Sequence, residues 1–430
     1  MRENPKEIRT FAPKLSKLMN MKTFLLTLIA VIFASAISAQ TVDTDALSAY
    51  DKNAPFGWGA EVTGGEGGET VTVETYDQLF AQLTTNNSTS KVIYVKGTIT
   101  FTGYKEVRNV KNKTIIGLEG AVLTNPTHST IAKESGILYM RGCENIIIRN
   151  LTFKSAGAYD MDGNDNISLI ECTKIWVDHC DFQDGVDGNL DATNASDKIC
   201  VTWCRFRYLI DPWSGGSGGA DDHRYTNLWG NSDSRTADQG KLRTTFANCW
   251  WDEGCRERMP RIRFGQVHLL NCLYSSSVTN YCVGGGYRSN AYIEKCAFTS
   301  NKAKNTPWKN YATSSGKTDY NVTITGCEGT SDKQNRSGSI DYFIPSSIYT
   351  YDSYAANLVQ SVVSNTDNGA GATLKFKDAS GIEGIATNVE VQKVEYYSLD
   401  GILLSAPTKG LFIQVTTLKD GTKKTKKIIR

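Results

Sequence analysis

Seven stretches of the chain can be laid over one another: "ENIIIRNLTF", "TKIWVDHCDF", "DKICVTWCRF", "LRTTFANCWW", "GQVHLLNCLY", "SNAYIEKCAF" and "YNVTITGCEG". Each is a β-rich run followed by a Cys (Asn in the first), one more residue and usually an aromatic. The shared column reads Asn150, Cys180, Cys204, Cys249, Cys272, Cys296 and Cys327. Cys180 to Cys204 is a step of 24, Cys249 to Cys272 of 23, and Cys272 to Cys296 of 24, so the longer steps imply loop insertions. A repeat in the low twenties that carries short strands rich in Val, Ile and aromatics is a solenoid signature. No ten-residue helical pattern recurs, which argues against a leucine-rich horseshoe. The expected fold is an all-β, right-handed parallel β-helix whose coils stack about 4.8 Å apart.

The repeat also accounts for the cysteines. Cys is small, buried and weakly polar, and suits an inward stack where one strand bends into the next. Most of the 11 cysteines are therefore expected as a packed ladder rather than as bridged pairs, with the aromatic two residues on stacking beside them. Cys143 and Cys172, each just ahead of its strand, predict a second small column. Cys255 and Cys282 fall in loops and are the pair left to bridge. The open ends of the stack need covers, and the regions before Val71 and after Gly338 are the candidates.

The formal net charge is +2 and charged residues make up 21% of the chain, so no global basic field favours nucleic acid. From Met21 the sequence "MKTFLLTLIAVIFASAISAQ" reads as a secretory signal with cleavage between Ala36 and Thr41. Met19 or Met21 is then the expected true start. The apolar run is too short for a membrane anchor, and no other stretch is long enough to span a bilayer. The domain reading is a signal over 1–40, a β-helix over 41–370, a linker over 371–386 and a small domain over 387–430.

Polar groups cluster in the loops of the middle coils. "MDGNDNIS" supplies Asp162 and Asp165, and "DGVDGNLDATNASD" on the next coil supplies Asp184, Asp187, Asp191 and Asp197. Gathered carboxylates repel unless a cation joins them, and flexible oxygen donors suit Ca²⁺. Asp165, Asp187 and Asp191 are the metal candidates; Asp162, Asp184 and Asp197 read as solvated turns. Two coils later "RERMPRIRFGQVH" brings Arg256, Arg258, Arg261 and Arg263 together. Residues i and i+2 of a strand share a face, so Arg261 and Arg263 point together. Arg256 reads as a solvated charge paired with Glu253 and Glu257. A bound cation beside guanidinium groups fits an anionic polymer, and a uronic acid polysaccharide matches best. The four histidines lack zinc spacing, and "GWGAEVTGGEGG" has no βαβ unit around it. A two-carboxylate hydrolase stays open on composition alone.

"WVDHCDF", "DGNLDATNASDKICVTWCRF", "LWGNSDS", "GKLRTTFANCWWD" and "RMPRIRFGQVH" together resemble the pectate lyases of polysaccharide lyase family 1. The likeness runs from about Gly57 to about residue 365. It implies a right-handed parallel β-helix and Ca²⁺-dependent β-elimination of polygalacturonate. Carried over residue by residue, it makes Asp165, Asp187 and Asp191 the Ca²⁺ ligands, Arg258 the catalytic base, and Arg263 the arginine that holds the substrate carboxylate. The family's substrate-binding Lys has no counterpart after "VTWCRF"; an insertion stands there, and Arg224 is the nearest substitute. Gly163 occupies the position two before Asp165 where a further ligand is often found. Arginine ordinarily keeps its proton above pH 12, so a base role for Arg258 predicts an alkaline optimum.

Two rivals remain: a pectin lyase acting on methyl-esterified chains without Ca²⁺, and a non-catalytic β-helix that binds polysaccharide. The C-terminal "VQKVEYYSLDGILLSAPTKGLFIQVTTLKDGTKKTKKIIR" reads as a small β-sandwich with turns at Asp400-Gly401 and Asp420-Gly421. It resembles the sorting domain of type IX secretion substrates in Bacteroidota. That resemblance implies export by the type IX machinery and an extracellular or cell-surface location. The protein is expected to act as a monomer.

Overall fold

The structure, a computed structural model, describes residues 54–375 together with strands and short flanks within 391–429. The signal stretch, most of the linker and the two Asp-Gly turns of the C-terminal region lie outside the described residues.

Residues 54–375 form three long sheets of nearly all-parallel strands, of eleven, eight and eight strands, with each turn of the chain adding one strand to each sheet. One coil shows the pattern. Thr173–Asp178 joins the first sheet, Asp181–Gln183 the second and Leu190–Thr193 the third, and Asp197–Thr202 returns to the first. This is the right-handed parallel β-helix that the repeat predicts. The core runs along its axis: Ile175, Val177, Phe182, Leu190 and Ala192 of this coil are all fully buried.

The sharp bend between first and second sheets explains the repeat's spelling. The residue before each Cys is left-handed: His179, Trp203, Asn248, Asn271 and Lys295 have φ of 45°, 51°, 54°, 49° and 49°. Asn tolerates that region better than most side chains. Asn271 also donates from Nδ2 to Lys295 O at 2.9 Å on the next coil. The pairing corrects the first row of the repeat. Asn150 (φ 54°) falls in this bend column, and Leu151 takes the place of Cys, because Arg149 pairs with Asp178.

Inside the bend, Cys180, Cys204, Cys249, Cys272 and Cys296 are buried free thiols, and Cys327 ends the column half-buried. Their Sγ atoms face backbone carbonyls, for example Cys204 to Thr202 O at 3.4 Å. Cys143 and Cys172 form the second column, and Cys255 and Cys282 are buried and unbridged. The aromatics stack as expected: Phe153, Phe182, Phe206, Trp251, Tyr274 and Phe298 follow one another with ring centroids 5.0, 5.1, 5.5, 4.8 and 4.6 Å apart. Such offset stacks contribute about 0.5–1.5 kcal/mol each beyond their burial.

The covers differ from expectation. The N-terminal end is closed by a helix after Val71, Tyr76–Gln82, whose Tyr76 and Phe80 rings pack on Phe101. Residues before Val71 instead lie over the outer face of the first sheet: Asn145 Oδ1 accepts from Thr63 N and Gly64 N, and Val62 packs with Ile147, Trp176 and Cys200. Residues after Gly338 return along the sides, with Tyr349 on His268 and Val359 and Val363 against Leu273 and Ala297. At the far end Lys333–Ser337 folds back antiparallel on Tyr320–Thr325.

The C-terminal residues form a separate unit, a four-stranded antiparallel sheet ordered Leu403–Leu404, Val391–Tyr397, Leu411–Leu418, Lys423–Ile429.

Candidate active site

The third sheet positions the polar groups. Along Leu190–Thr193, Leu190 and Ala192 turn inward, which leaves Asp191 on the outer face. On the strand below, Ser168 pairs with Asp191 in register and donates from Oγ to Asp165 Oδ2 at 2.6 Å. Between these coils runs the short loop 184–189, where Gly185 permits a turn too tight for a side chain at that position. A Cβ on Gly185 would lie 1.9 Å from Gly188 O. Asp187 stands at its tip.

Asp165 and Asp191 face the same small space. A Cβ on Gly188 would meet Asp165 Oδ1 at 2.7 Å and Asp191 Oδ1 at 3.1 Å. Asp191 Oδ1 accepts from Leu228 N at 2.8 Å, whereas Asp165 Oδ1 is buried and has no hydrogen-bond partner. Burial, then the charge of Asp187, pushes the Asp165 carboxyl up to about 7. Burial and the charge of Asp165 push Asp191 well above the usual carboxylate range. Buried, mutually repelling oxygens with one left bare make a site that gains from a hard divalent cation.

Asp187 is engaged elsewhere. Its Oδ1 is 3.0 Å from His223 Nε2, and His223 Nδ1 is 2.7 Å from Asp160 Oδ1. Both contacts are close but lie off the line of a ring N–H. Among the described residues no group of three or more His, Cys, Asp or Glu side chains is placed to hold a metal ion. His223 belongs to the long connection between strands Arg205–Arg207 and Leu228–Trp229, which Asp160 anchors by accepting from Ala220 N at 2.6 Å.

Arg258 (φ 58°) precedes the third-sheet strand Arg261–Ile262 and accepts from Asn227 N at 2.7 Å through its carbonyl. Its guanidinium lies over the Tyr225 ring, 4.6 Å from the centroid, and Tyr225 packs on His223 at 4.1 Å. The Arg258 charge reaches Asp165 and Asp191, opposing the rise in both carboxyls. Thus Asp165, Asp187, Asp191 and Arg258 share one wall of the solenoid.

The other arginines divide. Arg263 donates to Asp233 Oδ1 at 2.6 Å and to Gly230 O at 2.8 Å, so the "LWGNSDS" stretch pins it. Arg224 forks onto Asp222 at 2.7 and 2.6 Å, which leaves it little free to meet a ligand. Arg256 also turns to Asp222, donating to its carbonyl at 2.9 Å, and reaches Glu257; Glu253 is held by Ser277 instead. Arg261 stands over Tyr311, 4.1 Å from the ring centroid.

Two aspartates read as solvated turns are structural. Asp184 is fully buried and accepts from Leu209 N and Ile210 N at 2.6 and 2.9 Å. Asp197 is buried in a fork with Arg243. Asp162 is exposed. Four groups about the site carried no mark in the repeat: Asp160, His223, Tyr225 and Asp233. They sit in irregular loops, where no period identifies them.

A sequence model described as pectate lyase matches residues 21–373. A pectate trisaccharide-lyase of Thermotoga maritima is 32% identical over 222 residues, covering 49% of this chain and 52% of its own length. A pectate lyase of Bacillus subtilis is 28% identical over 329 residues, covering 55% of this chain and 74% of its own. The chain spans about half the length of the first of the curated relatives it matches. Among solved structures, a pectate lyase bound to a hexasaccharide superposes with a TM-score of 0.58 at 22% identity, over 75% of this chain and 97% of that one. That likeness shows the fold.

Proposed function

Because the chain belongs to the pectate lyase family, we propose that it cleaves α-1,4-linked polygalacturonate by Ca²⁺-dependent β-elimination and leaves 4,5-unsaturated uronate ends. Asp165 and Asp191 would hold the ion, with Asp187 joining after it leaves His223. A Ca²⁺ there supplies positive charge that attracts a uronate carboxylate and renders the neighbouring C5 proton more acidic. Arg258 takes the C5 proton, the electron pair forms the C4–C5 double bond, and the C4–O bond breaks, its oxygen leaving with the bonding pair and taking a proton from water. Arg263 is engaged at Nε by Asp233 and at Nη1 by Gly230, so it would meet a substrate carboxylate through Nη2. Arg261 adds a second such contact, and Arg224 contributes only if it leaves Asp222.

The observation that carries this reading is the partnerless Oδ1 of Asp165 beside Asp191, within electrostatic reach of Arg258. The enzyme is proposed to work outside the cell, delivered by its signal and its C-terminal sheet through the type IX route. Among the described residues no helix is long and apolar enough to cross a membrane.

The test is incubation with polygalacturonate and with highly methylated pectin, each with and without chelator, following ultraviolet absorbance of the unsaturated product. A chelator-sensitive rise on the unesterified polymer is expected. A chelator-insensitive rise on the esterified one would make it a pectin lyase, and silence on both a binding protein.

A further inference from the structure

Beyond Arg258, on the side away from the aspartates, the outer face of the third sheet carries another group of cations. Arg261 pairs in register with Gly284, and Gly284 with Lys309. Two strand spacings put the Arg261 and Lys309 backbones roughly 10 Å apart. The residue between them has no side chain, and the space is narrow at its base: a Cβ on Gly284 would meet Tyr281 Cε2 at 3.0 Å and Arg261 Cγ at 3.1 Å. The two long side chains converge on one ring. Arg261 Cζ is 4.1 Å from the Tyr311 centroid and Lys309 Nζ is 5.2 Å from it. Tyr281 backs Tyr311 at 5.0 Å.

These cations lack the acids their neighbours have. Arg263 has Asp233, Arg224 has Asp222, and Arg256 has Asp222 and Glu257. Among the described residues no carboxylate lies within ion-pair range of Arg261 or Lys309, and the buried Nε of Arg261 has no hydrogen-bond partner. Burial and the charges of Arg263 and Arg258 already weigh against the charged guanidinium. An aromatic face returns only a weak attraction to a cation. A carboxylate offers charge-assisted hydrogen bonds that are much stronger, and a guanidinium with a free Nε is shaped to take one.

We propose that Arg261, Lys309 and Tyr311, over the bare floor at Gly284, form a further subsite for the carboxylate of a uronate residue beyond the one at the aspartate cluster. The inference rests on the polyuronate reading of the site. It makes the enzyme favour chains long enough to reach from Asp191 past Arg261 to Lys309, four strands further along the sheet.

The experiment measures calorimetric binding of octagalacturonate and trigalacturonate to the chelator-treated full chain, for wild type, Lys309→Ala, Lys309→Arg and Arg261→Gln. Lys309 is exposed, so Lys309→Ala folds and decides the matter even if Arg261→Gln does not. Octagalacturonate is expected to bind Lys309→Ala about ten-fold more weakly, with a shallower salt dependence. The arginine variant restores binding, and trigalacturonate shows a much smaller loss. Equal octagalacturonate affinity in wild type and Lys309→Ala overturns the subsite. Lyase assays on the wild type separate the two readings. An active enzyme with unchanged Lys309→Ala binding loses only the subsite. An inactive chain whose octagalacturonate binding still depends on Lys309 loses only the catalytic assignment.

Discussion

Asp165 and Asp191 aim one oxygen each at the space above Gly188, and nothing but the missing side chain of that glycine keeps the space open. Gly188→Ala therefore tests the proposed Ca²⁺ site without removing either carboxylate. Its φ is not left-handed, so the backbone accepts alanine. The added methyl would stand 2.7 Å from one oxygen and 3.1 Å from the other. Calcium affinity, read by calorimetric titration of chelator-stripped protein, is expected to fall at least about ten-fold. The melting temperature in chelator should change little.

The same pair predicts how the metal-free protein responds to pH. The Asp165 carboxyl titrates near 3.8 when unfolded and is pushed up to about 7 when folded, by burial first and Asp187 second. Between those values the folded state binds more protons than the unfolded one, so this group's contribution to stability falls as pH rises. The slope approaches about 1.4 kcal/mol per pH unit for one extra proton. Asp178, Asp222 and Glu294, whose carboxyls are shifted down, act in the opposite sense at lower pH. Comparing wild type with Asp165→Asn in chelator isolates the effect. The wild type should lose stability relative to the variant from pH 4.5 to 7.5, and Ca²⁺ should abolish that loss. A relative gain over this range would remove the argument for a carboxyl strained by burial.

Arg258 bears on the cation and on the chemistry in opposite ways. Its charge is felt at Asp165 and Asp191, so its removal leaves a more negative site. Arg258→Ala should bind Ca²⁺ a few-fold more tightly while turnover on polygalacturonate falls about 10²–10⁴-fold, the usual loss for a general base. Wild-type activity should rise toward alkaline pH, because guanidinium gives up its proton reluctantly. A rate maximum near pH 5, or a variant within ten-fold of wild type, removes Arg258 from that role.

The stacked rings offer a direct test of the fold. Phe206 lies fully buried between Phe182 and Trp251, with centroids 5.1 and 5.5 Å away. Rings on both sides are fixed by the coils that carry them, so little can collapse into the gap. Phe206→Ala should cost about 3–5 kcal/mol in chemical denaturation and Phe206→Leu distinctly less. A cost below 1 kcal/mol for the alanine variant would mean that the coils do not bear on one another as described.

What the chain reveals of itself follows from what repeats. The solenoid was legible because stacking puts one residue type on top of itself: the Cys of the bend and the aromatic two places on recur together in the five coils from Cys180 to Cys296. The slip at Asn150 came from its standing beside the bend, where Asn also recurs, while Leu151 does the work of Cys. The acidic and basic residues were visible as clusters, and the third sheet puts Asp165, Asp187, Asp191 and Arg258 on one wall. Which charges were free was not visible. Asp197 and Asp184 look like Asp187 in sequence, yet Arg243 takes the first and the Leu209 and Ile210 amides take the second. Arg224 and Arg263 are claimed by Asp222 and Asp233 through loops that obey no period. Lys309 lies nearly fifty residues past Arg261, yet it joins Arg261 at the Tyr311 ring because it stands two coils further on at the same place in the sheet.

The cysteines give the last test, since a chain that is exported, as proposed, and has so many would ordinarily be cross-linked. In the ladder each Sγ points along the stack toward a carbonyl, as Cys249 does to Val201 O at 3.4 Å and Cys296 to Leu269 O at 3.4 Å. Side chains held parallel do not offer the crossed geometry a disulfide needs. Burial also pushes the Cys204, Cys272 and Cys296 thiols of the ladder up, and a thiol that keeps its proton is a poor nucleophile. At Cys249 the Cys204 and Cys272 neighbours outweigh that push and draw the thiol down, so it is shielded by burial alone. The native protein should therefore react with a water-soluble thiol reagent at Cys327 alone, and slowly, as that is the one cysteine with partial exposure. Unfolded without reductant, it should release all 11 thiols. Recovery of nine would point to a single bridge, with Cys255 and Cys282 the pair to map first.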